Sequence, residues 1–403
     1  MAKFVFVVPP FLGHINPSLS IGRTLLERGH EVVWAGLTEI NSELIPSGGY
    51  YHVLEQSYKE NKKEIEDIIQ LQNKGAGMSA LEALKLGLQD TYIPFAKIMF
   101  DEFTTWVGSY NPDVIVNDCI SFVGGLTAHI KKIPLATLTP ITPNALHDPG
   151  VAPEITKWVH NSIIGLQRSV GISGDEELVF SKKLNMYYTS QKFVRYKDND
   201  CPPYMKFIGA LTGRPDNTPF DWERLKKIKT PKVYISVGTV LVDVRKEFFH
   251  RMIQALGNKE ITVIAAADPY IIEDWPDNFI VQRYVPQFEL LKHVDVVIGH
   301  GGLNTVCDTY INGIPMLVIP MAFDQFHTAS LIEQCGCGIR IRYKRMRIQD
   351  VEHAVEELLY NPKYKTAAEE IRQSFIEAGG NERAANLLEE LSVTKNIVKY
   401  HKL

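Results

Sequence analysis

Short apolar runs alternate with amphipathic segments along almost the whole chain. The first run is KFVFVV at 3–8, and a segment with leucines at helical spacing separates it from the next run, EVVWAG. Asn16 followed by Pro17 predicts that the helix begins there, and Gly29 is typical of a helix end. A strand–helix–strand order is the building unit of a parallel sheet.

The same alternation continues on both sides of a polar, proline-bearing stretch at 213–230. It predicts an α/β protein with two Rossmann-like domains facing a central cleft. The domains are expected over 1–212 and 231–385, with the stretch between them as a linker. We expect a helix or tail over 386–403 that crosses back to the first domain. Predicted strands include DVIVND, PLATLT, KVYISVG, ITVIAAA, FIVQRY, DVVIG and PMLVIP.

Length and charge narrow the function classes. The 403 residues exceed one ordinary core, which favours two domains. A net charge of −4 gives no global attraction for nucleic acid or anionic lipid. The chain shows no convincing signal peptide and no apolar stretch near the roughly 20 residues that span a bilayer, so we expect a cytoplasmic protein.

The five cysteines form an odd set without CxxC spacing. Cys335 and Cys337 follow a helical stretch, where small thiols commonly pack. We therefore expect reduced, packed thiols rather than a metal or redox site.

The most informative turn follows DVVIG at 295–299. His300-Gly301-Gly302 ends this strand, and a helix is predicted to open at about Leu303. Glycines allow a phosphate to approach the backbone, and the free N–H groups of a helix start bind anions. A plain turn whose glycines only permit tight packing fits the same residues, and turn chemistry alone does not separate the two interpretations.

The whole string from 283 to 338 resembles the donor-binding signature of the UDP-glycosyltransferase superfamily, especially of bacterial enzymes that glycosylate macrolides and other small natural products. The similarity extends to GH-x-NP at 13–17, to Asp118 and to SVGT at 236–239. It implies the GT-B fold and a nucleotide-sugar donor, with UDP-glucose as first choice and a dTDP-sugar as the alternative.

Carried over residue by residue, the resemblance places the donor diphosphate between two segments of the second domain. Ser236, Gly238 and Thr239 would lie along one side of it. The glycine turn and the helix start would hold the other side through His300, Gly301, Gly302, Asn304 and Thr305.

The resemblance also assigns the nucleoside end of the donor. Tyr284 stands where the family usually has a tryptophan that stacks on the base. Val285 and Gln287 would flank the base and the ribose. Asp308 stands where the family often has a glutamate that reads ribose hydroxyls, and its shorter side chain implies a longer or water-bridged contact.

Asp324 and Gln325 match the family's acidic–glutamine pair, which binds sugar hydroxyls and fits glucose. Taken singly, Asp308 fits a solvated helix position and Asp324 fits an ordinary turn. In the family's order, the donor-binding interpretation is favoured.

A candidate base lies in the first domain. His14 follows the first strand at the carboxyl edge of the sheet, where open α/β sheets bind ligands. The positive end of the following helix is expected to keep the imidazole neutral. Asp118 ends a strand predicted to lie nearby, so it would orient the ring and stabilise the imidazolium. A histidine satisfied by a nearby carbonyl is the alternative, and the family resemblance favours the pairing with Asp118.

These residues predict a single displacement that inverts the anomeric centre. His14 would take the proton of the acceptor hydroxyl while the helix start stabilises the departing diphosphate. The family needs no bound metal, and the Asp-x-Asp at 198–200 is expected to be a solvated loop. Phe11, Leu12 and Phe122 are expected to line the site of a lipophilic or aromatic acceptor, such as a macrolide or a flavonoid.

Two other functions fit the same architecture. A nucleotide-sugar epimerase would use the donor site without an acceptor, and an inactive homologue would bind the donor as an auxiliary partner. A dinucleotide oxidoreductase is disfavoured because neither domain opens with GxGxxG. The sequence favours a monomer or weak homodimer and leaves the acceptor open.

Overall fold

Two parallel sheets organise the chain into an N-terminal and a C-terminal lobe. The computed structural model describes residues 1–72, 78, 80–143, 152–197, 201–213, 218–238, 244–322 and 324–398. Thr239 and the Asp-x-Asp at 198–200 lie outside the described residues, as do parts of the predicted linker and of the C-terminal tail. Among the described helices, none is long and apolar enough to cross a membrane.

The N-terminal lobe contains strands β1 to β7 and helices α1 to α7. The strands are β1 (Lys3–Val7), β2 (Glu31–Gly36), β3 (Tyr50–Val53), β4 (Val114–Asp118), β5 (Leu135–Thr139), β6 (Leu184–Tyr187) and β7 (Met205–Phe207). The helices are α1 (Leu12–Glu27), α2 (Glu55–Gln72), α3 (Ala80–Gly87), α4 (Ile93–Tyr110), α5 (Val123–Lys131), α6 (Pro153–Ser169) and α7 (Gln191–Val194). The strand order is β3-β2-β1-β4-β5-β6-β7, and every pairing is parallel.

The C-terminal lobe repeats this plan with six strands. They are β8 (Lys232–Ser236), β9 (Thr262–Ala266), β10 (Phe279–Gln282), β11 (Val296–Gly299), β12 (Met316–Val318) and β13 (Gly338–Arg340), in the order β10-β9-β8-β11-β12-β13. The helices are α8 (Trp222–Lys227), α9 (Arg245–Leu256), α10 (Gln287–Leu290), α11 (Leu303–Ile311), α12 (Gln325–Gln334), α13 (Ile348–Tyr360), α14 (Pro362–Glu377) and α15 (Gly380–Thr394).

The strand order fixes where each lobe can bind a ligand. In the first sheet β1 pairs with β2 on one side and β4 on the other, and in the second sheet β8 lies between β9 and β11. The chain therefore leaves these central strands in opposite directions, which opens a crevice beyond their carboxyl ends. His14 and Asp118 follow or end the central strands of the first sheet. Gly238 and His300 follow those of the second.

A shared apolar core joins the lobes. Phe193 on α7 is fully buried, with its ring centroid 5.5 Å from that of Tyr310 on α11 and 6.0 Å from that of Phe375 on α14. Burying one such side chain stabilises the fold by about 1.5–3 kcal/mol, whereas an exposed ion pair contributes about 0–1 kcal/mol. The apolar contacts therefore dominate this junction.

The last helix, α15, packs against α1 of the N-terminal lobe. Arg28 Nη1 donates to Glu389 Oε2 at 2.7 Å, and Arg28 also contacts Glu382. His30 Nε2 lies 2.9 Å from Glu389 Oε1. The predicted boundary at 386 falls inside this helix, which begins at Gly380.

The first helix begins earlier than predicted. Phe11 is extended, and its carbonyl accepts from the amides of His14 at 2.9 Å and Ile15 at 3.0 Å, so α1 starts at Leu12. Pro17 therefore lies inside the helix rather than at its first position. The prediction that the helix opens at Asn16 is wrong, because Phe11 already provides the carbonyl that starts the turn. His14 consequently sits in the first turn of α1.

Candidate functional site

A large cleft lies between the two lobes. Its volume is about 2150 Å³, more than the roughly 300–1,000 Å³ of a pocket for one small ligand. The space is sufficient for two ligands side by side. Most predicted site residues line it, namely Phe11, Leu12, His14, Ser236, Gly238, Tyr284, Val285, Gln287, His300, Gly302, Asn304, Thr305, Asp308, Asp324 and Gln325.

His14 and Asp118 form a hydrogen-bonded couple on the N-terminal wall. His14 Nδ1 lies 3.0 Å from each carboxylate oxygen of Asp118, and the amide of Ile120 donates to Asp118 Oδ1 at 3.0 Å. An ionised carboxylate only accepts hydrogen bonds, so Nδ1 carries the hydrogen and Nε2 is the basic nitrogen. The Asp118 side chain is 2% exposed and that of His14 is 20% exposed. The couple thus presents one edge of an imidazole to the cleft.

The direction of the His14 pKa shift differs from the sequence-based expectation. Burial lowers its pKa, but the charge and hydrogen bond of Asp118 and the charge of Asp324 outweigh burial and raise the pKa above 6.5. The predicted lowering by the helix start is therefore wrong in direction. The physical reason is that a helix end carries only about half an elementary charge, whereas two full carboxylates lie close to the ring.

His300 is packed between Gly238 of the SVGT segment and Gly302 of the glycine turn, which are both predicted to hold the diphosphate. A Cβ on Gly238 would lie 2.8 Å from His300 Cε1, and a Cβ on Gly302 would lie 2.7 Å from its Nε2. Burial and, to a smaller extent, the charge of Arg245 lower the pKa of His300 to about 4, although a backbone hydrogen bond of Ser236 raises it. The ring is therefore neutral at pH 7, so it could bind a phosphate through an N–H group but not through charge.

A buried relay positions the residues predicted to read the ribose. Tyr234 donates its hydroxyl to Gln287 Oε1 at 3.1 Å, and Gln287 Nε2 donates to Asp308 Oδ2 at 2.8 Å. Asp308 is fully buried, so the interpretation as a solvated helix residue is wrong. Its carboxylate sits in the cleft wall because α11 turns this position toward Gln287 and away from solvent. Tyr234 was not predicted, since a tyrosine in a buried strand has no separate sequence signal.

Asp324 and Gln325 open α12 beside the end of β12. Burial raises the pKa of Asp324 to about 6, although the charge of His14 and a backbone hydrogen bond lower it. Gln325 Oε1 accepts from the amides of Met321 and Ala322, each at 3.0 Å. The side-chain oxygen of Gln325 is therefore used to stabilise the loop that precedes α12. Only the side-chain amide nitrogen of Gln325 can bind a sugar hydroxyl.

Arg245 adds a cation that was not predicted from the sequence. It is the first residue of α9, lines the cleft, and donates from Nη2 to the carbonyl of Gly238 at 2.9 Å. Burial lowers the pKa of the guanidinium, and Tyr284 raises it. Arg245 thus contacts Gly238 of the predicted phosphate-binding segment and interacts electrostatically with Tyr284, the predicted base-stacking residue. An arginine opening the helix after SVGT was the available signal.

Two predicted residues lie behind the cleft wall. Phe122 is 3% exposed and packs edge-on against Tyr92 and Phe180, with centroids 5.8 and 6.1 Å away. The prediction that Phe122 lines the acceptor side is corrected accordingly, because α5 turns this ring into the core. Gly301 has a φ of +93°, and a Cβ there would lie 3.0 Å from Val318 Cγ2. Gly301 therefore allows the turn to pack closely against Val318 and does not line the cleft.

The N-terminal wall is largely apolar around His14. Phe11 packs against Phe95, with ring centroids 6.2 Å apart, and Leu12 is 46% exposed. Further apolar side chains come from the β2–β3 connection and from α2, α3 and α6. They include Ile40, Leu44, Ile69, Leu81, Leu84 and Ile155.

Comparison with known proteins supports the family resemblance. A family model described as UDP-glucoronosyl and UDP-glucosyl transferase matches residues 183–375. A Bacillus subtilis protein described as an uncharacterized UDP-glucosyltransferase, YdhE, is 28% identical over 96% of this chain and 98% of its own length. The 4'-demethylrebeccamycin synthase of Lentzea aerocolonigenes is 23% identical over 97% of this chain and 99% of its own.

Solved structures share the fold over the same extent. The glycotransferase of kitacinnamycin superposes with a TM-score of 0.73 at 21% identity, covering 96% of this chain and 98% of its own. Glycosyltransferase VinC, solved with dTDP, gives a TM-score of 0.74 at 16% identity, covering 97% and 99%. Both agree with the two-lobed GT-B architecture predicted from the sequence. The matches therefore support the resemblance to the UDP-glycosyltransferase superfamily and a glycosyltransferase activity that uses nucleotide sugars.

Proposed function

We propose that this glycosyltransferase moves a hexose, glucose in the first instance, from a UDP-sugar to a hydroxyl of a small lipophilic or aromatic natural product. The observation that carries the proposal is the couple of His14 and Asp118, which presents a basic nitrogen to the cleft opposite the glycine turn at 300–302. The apolar wall around His14 supports a lipophilic acceptor. The relatives named for rebeccamycin and kitacinnamycin support a natural-product acceptor.

The proposed reaction is one displacement at the anomeric carbon. His14 Nε2 takes the proton of the acceptor hydroxyl as its oxygen forms the new bond to that carbon. Asp118 holds Nδ1–H and stabilises the imidazolium. The bond from the anomeric carbon to the diphosphate breaks with its electron pair, and the start of α11 stabilises the leaving charge. Attack from the face opposite the leaving group inverts the anomeric centre.

Donor binding is proposed to follow the layout of the C-terminal wall. Tyr284 would stack on the base, and the relay through Gln287 to Asp308 would meet the ribose. His300, Gly302 and Arg245 would surround the diphosphate. The positive guanidinium complements the phosphates at a place where neutral His300 contributes no charge.

A transfer assay tests the proposal directly. Wild-type protein and the variants His14→Ala and Asp118→Asn are incubated with UDP-glucose or dTDP-glucose and with phenolic, macrolide and terpenoid acceptors, followed by mass spectrometry. Wild type should add one hexose, and each variant should lose about 10²–10⁴-fold in rate. His129→Ala, an exposed histidine of the same lobe, is the matched control and should remain active.

Three outcomes of the assay are decisive. Equal transfer by His14→Ala and wild type would remove His14 from the role of base. Donor binding without transfer to any acceptor would favour an auxiliary binding protein instead. Retention of the anomeric configuration in the product would contradict the single displacement.

Metal independence is a separate part of the proposal. His14, Asp118 and Cys119 bring three possible ligand atoms within 4.8 Å of one another. In the proposed mechanism His14 is the base and the Asp118 carboxylate orients it. A metal ion bound to these residues would occupy the imidazole that must accept the proton. Transfer should therefore persist in EDTA, and loss of activity that Mg²⁺ or Mn²⁺ restores would contradict this part.

A further inference from the structure

A proline inside α1 leaves one backbone carbonyl without its helical donor. In an α-helix the N–H of residue 17 would bond to the carbonyl of residue 13, and a proline has no N–H to give. Pro17 is buried within α1, five residues after its start at Leu12. Its ring also crowds the carbonyl four residues earlier and turns it away from the helix axis. The carbonyl of Gly13, directly before His14, is therefore open to another donor.

The donor comes from the opposite lobe. Asn304 Nδ2, in the first turn of α11, lies 2.6 Å from the carbonyl oxygen of Gly13. Asn304 follows the glycine turn at 300–302 on which the donor diphosphate is proposed to rest. This hydrogen bond thus joins the helix start that carries His14 directly to the helix start that faces the donor.

We propose that Pro17 is a positioning residue for sugar transfer: it keeps the Gly13 carbonyl open so that Asn304 docks the His14-bearing turn onto the donor-binding turn. The inference rests on the proposed function, because it assigns His14 as the base. An amide nitrogen carries two hydrogens, so Asn304 can bond Gly13 with one and a donor phosphate with the other. A single side chain then sets the distance between the base and the leaving group.

Replacing Pro17 distinguishes a positioning role in transfer from a structural role in stability. Alanine at position 17 would supply an N–H that competes with Asn304 for the Gly13 carbonyl. Alanine is also a far better helix-interior residue than proline. A purely structural role for Pro17 would make its replacement destabilising, whereas the positioning role makes the variant at least as stable as wild type but slower in transfer.

The test compares kcat, donor KM and the thermal midpoint of Pro17→Ala with those of wild type, using full-length protein. We expect kcat to fall about tenfold or more, because small misplacements of reacting groups are costly. The thermal midpoint should be unchanged or higher. Pro362→Ala is the matched control, since Pro362 is exposed and is the first residue of α14, where no helical N–H is required. An unchanged kcat in Pro17→Ala would overturn the inference.

A double-mutant cycle with Asn304→Ala tests the link itself. If Pro17 acts through Asn304, then Pro17→Ala should cause little further loss of kcat once Asn304 is removed. A full tenfold loss in both backgrounds would show that Pro17 acts by another route and would overturn the inference.

Failure of the proposed function can be distinguished from failure of this link. If wild type transfers no sugar, the proposed function fails, and the link is then measured by small-angle X-ray scattering of the ligand-free protein. Pro17→Ala and Asn304→Ala should each increase the radius of gyration relative to wild type and to Pro362→Ala. Unchanged values in both variants would overturn the docking role.

Discussion

Asp324 and His14 lie on opposite lobes and shift each other's pKa in opposite directions. The charge of Asp324 raises the pKa of His14, and the charge of His14 lowers that of Asp324. Both side chains line the cleft. The residue proposed to hold the sugar therefore also tunes the residue proposed to remove the acceptor proton.

The Asp324→Asn variant should move the pH dependence of transfer. The base must be neutral, so kcat/KM should rise with pH through the pKa of His14, which lies above 6.5. Removing the carboxylate charge of Asp324 removes one cause of that raised pKa. The ascending limb should therefore move to lower pH, apart from any loss of sugar binding that lowers the whole profile.

Complete pH profiles of kcat/KM for both proteins measure this displacement. Asp274→Asn removes an exposed carboxylate of the same lobe and should leave the limb in place. If the ascending limb of the Asp324→Asn profile is unchanged or moves to higher pH, the Asp324 carboxylate does not raise the pKa of His14.

The same substitution should stabilise the protein at neutral pH. Burial raises the pKa of Asp324 from 3.8 to about 6, so between these values the native state binds more protons than the unfolded state. Stability from this group is therefore present below pH 3.8 and lost as the pH rises through 6. At pH 7 the ionised carboxylate costs up to about 3 kcal/mol.

Urea unfolding of Asp324→Asn and wild type at several pH values checks the sign. The variant should have the higher free energy of unfolding at pH 7, and the difference should shrink between pH 6 and pH 4. A variant that is less stable than wild type at pH 7 would mean that the Asp324 carboxylate is held by contacts worth more than its burial costs.

The fold could be predicted from the sequence where apolar strands are flanked by turn residues. The runs around β1, β4, β8 and β11 mark the central strands of both sheets, and these strands place the site. Strands β6 and β7 were not predicted, because LNMY and MKF are short and mix polar with apolar residues. They form only because neighbouring strands offer an open edge, which is a property of the assembled sheet.

The site could be predicted as a set of residues but not as an electrostatic system. The family's order pointed to His14, Asp118 and Asp324; His14 and Asp324 line the cleft, and buried Asp118 is hydrogen-bonded to His14. The direction of the His14 pKa shift was missed because it depends on a carboxylate of the other lobe, more than 300 residues away in sequence. Arg245 was missed because a single arginine at a helix start is not distinctive without its neighbours.

Replacing Arg245 should weaken recognition of the diphosphate while sparing that of the nucleoside. Its guanidinium donates to the carbonyl of Gly238 and lowers the pKa of His300, and these two residues are proposed to flank the phosphates. A charge-assisted hydrogen bond contributes about 1.5–3 kcal/mol, so Arg245→Met should reduce the affinity for UDP by about 10- to 100-fold. The affinity for uridine should change little.

Calorimetric titration with UDP, UMP and uridine separates these contributions. Lys246→Met removes an exposed cation next to Arg245 and is the matched control for overall charge. Equal losses for UDP and uridine in Arg245→Met would place the guanidinium near the base rather than the phosphates.

A methyl group on Gly238 should block the donor site by displacing His300. Gly238 has a φ of +71°, and a Cβ there would lie 2.8 Å from His300 Cε1 and 2.9 Å from Nε2. Real Cβ atoms do not approach that closely, so either the ring or the SVGT backbone must move. Because Gly302 confines the ring on another side, we expect Gly238→Ala to weaken UDP binding at least about tenfold, in addition to backbone strain of about 1–3 kcal/mol.

Gly171→Ala separates the two effects, since Gly171 has a φ of +82° with no atom within 4 Å of its Cβ position. Both variants should lose similar stability from strain, measured by thermal unfolding, but only Gly238→Ala should lose UDP affinity. Unchanged UDP affinity in Gly238→Ala would mean that the turn at His300 does not hold the diphosphate.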